Sequence, residues 1–198
     1  MAGLHTEIHF EDELVGHLVK YGGWVEGEPK NYNRVLALYP EDVIGWIQDT
    51  QPAAYAKVQK AQNGGTDKKI LDRLADVLSK EGALHVFRNG FSTGGAEFAA
   101  CAFRPGNNLN PATVEKFSKV RCRVVRQVHY SLHNENSIDV VLFVNGIPVA
   151  TLELKTDMTQ TVDDAVGQYR TDRLPRDLKS GKEEPLLTFK REPLCISR

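Results

Sequence analysis

Asp139, Glu153 and Lys155 are the residues whose types and spacing point to chemistry. Asp139 stands among Ile138, Val140, Val141 and Leu142, and Glu153 and Lys155 flank Leu154 at the end of the next apolar run. An unpaired carboxylate buried in an apolar sheet costs several kcal/mol, so acids at such places are paired, metal-bound or solvated. Two convergent carboxylates suit a hard cation such as Mg²⁺, which takes oxygen ligands and keeps several waters. A neighbouring lysine can position or help deprotonate an attacking water, or stabilise charge on a pentavalent phosphorus. In outline this is a phosphodiester hydrolase site. The same spacing also arises from solvated strand ends and plain ion pairs, so the chemistry depends on whether the fold brings these residues together.

The elements that must do so are two β-rich runs, Ser137–Val144 and Ile147–Lys155, around Asn145-Gly146. Asn-Gly between such runs is the strongest short-range hairpin signal. A perfect two-residue turn pairs residues whose numbers sum to 291, which sets Asp139 against Leu152 and leaves Glu153 on the opposite face. One extra residue shifts the sum to 292 and sets Asp139 against Glu153. Pro148 cannot donate to a ladder, so the sequence predicts a bulge near Ile147–Pro148.

Further out, residues 1–82 read as mostly helical and residues 83–198 as sheet and catalytic core. Helices are expected over Thr6–Tyr21, Pro40–Gln48, Pro52–Gln62, Thr66–Glu81 and Thr161–Arg173, their starts marked by proline or capping residues. Besides the hairpin, strands are expected at Leu84–Phe91, Glu97–Phe103, Arg121–Tyr130 and Pro185–Lys190, with a loop over Pro105–Pro111. The first helix carries Glu7, Glu11, Leu14 and Leu18 on one stripe, so two acids continue a core-facing line. The fold class is α/β: a mixed central sheet flanked by helices, in one domain.

Composition bounds the function. The chain has 198 residues, 41% hydrophobic and 26% charged, ordinary values for a globular protein. No apolar run approaches the ~18 residues of a membrane span, and the start MAGLHTEIHF lacks a secretory pattern. The three cysteines (Cys101, Cys122, Cys195) are widely spaced and read as free thiols in a reducing cytoplasm. The six histidines read as surface or packing residues rather than zinc ligands. The net charge of −1 gives no overall pull toward nucleic acid. It divides into 10 basic and 14 acidic residues over 1–99, and 15 and 12 over 100–198. Any grip on DNA is therefore expected to be weak and concentrated in the second half, around Lys119–Arg126 and Arg170–Lys182.

The stretch Asn136–Pro175 resembles the N-terminal nuclease region of type I restriction enzyme R subunits. So do Thr6-Glu7-x-x-Phe10-Glu11, Gly82-x-Leu84-x-Val86-x-Arg88-x-Gly90 and Val125-Arg126-Gln127. The resemblance runs in order over nearly the whole chain. It implies the restriction-endonuclease-like fold of the PD-(D/E)xK nucleases and Mg²⁺-dependent cleavage of double-stranded DNA. The partners it implies are modification and specificity subunits. Carried over residue by residue, Asp139 and Glu153 would be metal ligands, joined by the backbone carbonyl of Leu154, and Lys155 the catalytic lysine. Gln168 matches a Gln-x-x-x-Tyr element of related nucleases, whereas the adjacent Tyr169 departs from its spacing. Arg170 and Arg173 on that helix would meet phosphates or form a solvated face. Glu11 or Glu7 would supply a first-helix acid, with Glu11 favoured. R subunits also carry an ATP-driven motor, but no Gly-x-x-x-x-Gly-Lys-Ser/Thr loop occurs here, so ATP would enter only through motor domains this chain lacks. The expectation is one working part of a longer subunit. The alternative is a nuclease-like module that binds DNA or scaffolds a complex without cutting.

Overall fold

The computed structural model describes residues 2–61, 64–154, 171, 174–188 and 194–197, with side chains from Ile8 onward and none for 194–197. Helix α1 (Ala2–Gly22) is followed by a short strand β1 (Val25–Gly27) and a 3₁₀ turn at Pro29–Asn31. Helices α2 (Pro40–Thr50), α3 (Pro52–Lys60), α4 (Thr66–Glu81) and α5 (Ala83–Asn89) come next. A small hairpin, β2 (Phe91–Thr93) and β3 (Ala96–Phe98), leads to α6 (Pro111–Ser118). The remaining strands are β4 (Cys122–His129), β5 (Ser137–Val144), β6 (Ile147–Glu153) and β7 (Leu194–Ser197). The main sheet runs β1-β4-β5-β6-β7. Its three central strands pair antiparallel and its two edge strands pair parallel, so the sheet is mixed as expected. Among the described residues, no helix is long and apolar enough to cross a membrane.

Three apolar clusters hold this together. Phe10, Leu14, Val15 and Leu18 of α1 pack on Val124, Val140, Ala150, Leu152 and Leu154, covering one face of the sheet. The opposite face is covered by Tyr32, Ala37 and Tyr39 together with Leu186 and Leu187, around Val125, Val141 and Phe143. The third cluster joins α2–α5 to the β2–β3 hairpin and reaches the main sheet through Ile147. Burying such side chains, at roughly 1.5–3 kcal/mol each, is the principal force ordering these layers.

Two expected strands are not strands. Leu84–Phe91 alternates like one, yet Ala83–Asn89 is helix α5. Val86 is buried and Ala83 and Phe87 pack beside it, while Leu84 is 64% exposed; burial follows the helical period, set after Gly82 at φ 91°. Of the expected Pro185–Lys190, residues 189 and 190 lie outside the described residues, and 185–187 form a turn in which the consecutive Leu186 and Leu187 are both buried, as an alternating strand would not allow. The closing strand lies further on, at β7. Glu97–Phe103 is cut short, since only Ala96–Phe98 pairs. Helix α6 follows the expected loop, started by Asn110, whose side chain accepts from the Thr113 amide at 3.3 Å. Of the expected helix at Thr161–Arg173 only Thr171 is described, and it is helical; the rest lies outside the described residues.

Candidate active site

The hairpin positions the acids. Asn145 (φ 48°) and Gly146 (φ 78°) both sit in the left-handed region that a tight primed turn requires. The turn is also clamped to the rest of the molecule. Asn145 Oδ1 accepts from the Arg121 amide at 2.8 Å, its Nδ2 donates to the Ala100 carbonyl at 3.0 Å, and the Tyr39 amide donates to the Gly146 carbonyl at 2.8 Å. From this fixed end the ladder starts at a sum of 291, with Val144↔Ile147 and Phe143↔Pro148. It then shifts to 292, with Leu142↔Ala150, Val141↔Thr151 and Val140↔Leu152, leaving Val149 as the extra residue. This is the bulge that Pro148 led us to expect. The paired ladder ends at Val140↔Leu152; only an extension of its shifted register by one further residue would set Asp139 opposite Glu153.

Asp139 is held there by the backbone: the Leu154 amide donates to its Oδ2 at 2.8 Å. That bond ties the head of β5 to the residue just past β6, whose carbonyl the resemblance assigns to the metal. Glu153 is buried, 1% exposed, and already engaged in an interaction of its own.

A third acid approaches from α1. Glu11 accepts from Gln127 Nε2 at 3.1 Å, and Arg126 Nη1 stands 3.9 Å from its other oxygen. Burial raises the Glu11 carboxyl above its ordinary value; Gln127 and Arg126 pull it down, and the charge of Asp139 pushes it further up. Glu11 and Asp139 therefore share one electrostatic neighbourhood. The structure bonds Asp139 to the Leu154 amide and Glu11 to Gln127, and Glu153 is the last residue of β6. Lys155, Gln168, Tyr169, Arg170 and Arg173 lie outside the described residues, as does the side chain of Glu7.

Among the described residues, no three His, Cys, Asp or Glu side chains form a ready metal cluster. The donors present are nonetheless all hard oxygen, and Mg²⁺ asks a protein for only one or two carboxylates while keeping its waters. The acids fit that ion and not zinc, for which sulfur and imidazole are the usual ligands.

On the basic run before and along β4, where a weak DNA grip is expected, the side chains are engaged by partners within the chain. Arg123 bonds Asp42 through both Nε (2.5 Å) and Nη2 (2.7 Å), with Asp42 1% exposed, and stacks 4.5 Å over the Tyr39 ring. Arg121 pairs with Asp49 at 2.7 Å, and Arg126 with Glu26 at 2.9 Å and with Asp12. Lys119 pairs with Glu115 at 3.2 Å. The acids that engage the three arginines come from the N-terminal half, so its negative excess is spent against the positive excess of the second half. Asp12, Glu26 and Asp42 were not singled out from sequence, because nothing local in it shows which acids the fold will carry to β4. Cys101 and Cys122 are free thiols whose pKa burial raises, in keeping with packing roles.

Gln127 also entered only as part of a resembling stretch. It takes φ 46° in the middle of β4, directly opposite Asp139. The spacing of Val125 and Val128 around Arg126-Gln127, three apart where a strand alternates by two, is the signal that points to it.

Compared with known proteins, residues 107–196 match the family described as type I restriction enzyme R protein N terminus. No curated protein and no solved structure matches. The matched segment holds Asp139, Glu153 and the bulged hairpin, whereas Glu11 lies before it.

Proposed function

We propose that this chain, whose residues 107–196 belong to the family of type I restriction enzyme R protein N termini, is the part that hydrolyses DNA phosphodiesters in a restriction complex. The observation that carries this reading is the hydrogen bond from the Leu154 amide to Asp139, which ties the start of β5 to the end of β6 inside the matched segment; the register shift at Val149 supports it, since the shifted register continued by one residue would bring Glu153 opposite Asp139.

In this reading Asp139, Glu153 and the Leu154 carbonyl would hold Mg²⁺, with Glu11 adding negative charge at its edge; the chemistry the ion would supply is polarisation of the scissile phosphoryl group and a lowered pKa of water. The residues of the chain supply orientation and charge. Asp139 is fixed by the amide it accepts from, so it is ready for the cation without rearranging. Lys155 stands next in sequence to Leu154 and is assigned to position the attacking water and offset charge growing on the phosphoryl oxygens. Water adds to phosphorus as the P–O bond to the leaving nucleotide breaks, and the leaving oxygen takes a proton. Recognition of the target sequence and ATP-driven movement are left to other subunits and domains.

The test is cleavage of supercoiled plasmid with Mg²⁺, ATP and the modification and specificity subunits. Asp139→Ala and Lys155→Ala should each lose at least about 100-fold in rate while the complex still assembles and binds DNA. Undiminished cleavage by both variants would overturn the reading, and complete inactivity of the wild-type complex would favour a scaffolding role.

A further inference from the structure

Gln127 has an unusual backbone for its place. Among the described residues, Ala37, Gln127 and Asn145 are the non-glycine residues with positive φ. Asn145 is accounted for by its hairpin turn, and Ala37 lies in the loop closed by the Asn33↔Leu38 bridge. Gln127 is mid-strand, where such a conformation costs about 1–3 kcal/mol and persists only if the surroundings impose it.

No inserted residue imposes it. Arg126↔Val140 and Val128↔Ile138 keep one register on both sides of the skipped Gln127 and Asp139 pair, so neither strand gains a residue. What changes is the facing of side chains. Val125 and Val128, three apart, lie in the same apolar cluster; Ile138 and Val140, two apart, lie in different ones. Both strands thus reset their alternation at this one level. The result is that consecutive residues, Arg126 and Gln127, both reach Glu11 on α1, which a regular strand forbids because successive side chains point to opposite faces. The amide of Gln127 is neutral. It fixes Glu11 without cancelling its charge, as a lysine in its place would.

We propose that Gln127 is a positioning residue of the nuclease site: its left-handed backbone carries the side-chain amide onto Glu11 and so holds that carboxylate beside Asp139. The role rests on the nuclease reading and extends it from the cation's direct ligands to the residue that orients their neighbour.

Glycine adopts positive φ freely, so Gln127→Gly separates the backbone from the side chain. The full chain carrying it should keep or exceed the wild-type Tm. Its affinity for Mg²⁺ alone, by titration calorimetry, should fall several-fold, and plasmid cleavage with the partner subunits should fall about 10–100-fold, the usual effect of losing an orienting partner. Gln127→Lys should weaken Mg²⁺ further by pairing with Glu11. In a Glu11→Gln background, Gln127→Gly should add little, because the group it orients is already gone. Wild-type Mg²⁺ affinity and cleavage in Gln127→Gly would overturn the proposal, as would full additivity with Glu11→Gln or a large fall in Tm. If wild type and Asp139→Ala bind Mg²⁺ and cleave alike, the nuclease reading itself fails and this role fails with it; loss in Asp139→Ala but not in Gln127→Gly removes the positioning role alone.

Discussion

At the scale of single residues, the site combines an acid held by a backbone amide with an acid that the fold keeps partly out of water. Replacing Asp139 by Asn preserves an oxygen able to accept from the Leu154 amide and removes only the charge. Asp139→Asn should therefore melt within a few degrees of wild type and still lose Mg²⁺ binding, whereas Asp139→Ala should lose both the ion and some stability. Calorimetry of the two variants tests this directly. Glu11 behaves in the opposite sense. Its pKa is raised in the fold, so its protonated form favours folding, and its contribution is lost as pH rises through that raised value. Gln is a permanent copy of the protonated form. Glu11→Gln should raise Tm at pH 8, and the gain should shrink to nothing as pH drops below the ordinary value of 4.5. A Tm difference independent of pH would contradict the burial of this carboxyl. Stability given up at Glu11 is what a residue retained for function would show.

At the scale of elements, the Asn145-Gly146 turn fixes the ladder's starting point. A Cβ on Gly146 would lie 2.4 Å from the Tyr39 carbonyl oxygen and 2.9 Å from the Val43 amide nitrogen, with φ already at 78°. Gly146→Ala must push backbone against backbone, and a loss of roughly 2–4 kcal/mol is expected, a Tm fall of about 5–15 °C in thermal unfolding. This hairpin was also the element most legible in the sequence. Asn-Gly gave the turn, and Pro148 gave the neighbourhood of the bulge, because both act through local sterics. The helix Thr66–Glu81 was legible to the residue for the same reason. Leu84–Phe91 was not, since only its packing against the helical cluster decides between two periods that so short a run satisfies equally. The acids Asp139, Glu153 and Glu11 could be named from their types, but the placing of Glu11 against Gln127 is a long-range contact and left no mark beyond an odd valine spacing.

At the scale of the whole molecule, charge runs across the sheet rather than along the chain. Arg121, Arg123 and Arg126 are all turned toward acids of α1, β1 and α2. Removing Arg123 would leave Asp42, which is 1% exposed, with only Arg121 at 3.8 Å, and Arg123→Ala should cost about 3 kcal/mol, measurable by denaturant titration. A smaller loss in the paired variant Asp42→Asn/Arg123→Met would show that the isolated charge, not the missing pair, is what hurts. With these arginines engaged, few free cations on β4 remain to displace counterions from DNA. The isolated chain should bind duplex DNA weakly, with a shallow dependence of log K on log salt; a slope equivalent to six or more phosphate contacts would contradict this. Delivery of the substrate then falls to the rest of the complex.

The crossing ion pairs bear on where the matched segment can be cut. Residues 107–196 include β4 and its arginines but exclude α1, β1, α2, and with them Asp12, Glu26, Asp42 and Asp49. A fragment trimmed to that segment would expose the sheet face that Phe10, Leu14, Val15 and Leu18 cover, and would leave three guanidinium groups bereft. A fragment of residues 107–196 should therefore melt well below the full chain or fail to fold, which circular dichroism of the two would check.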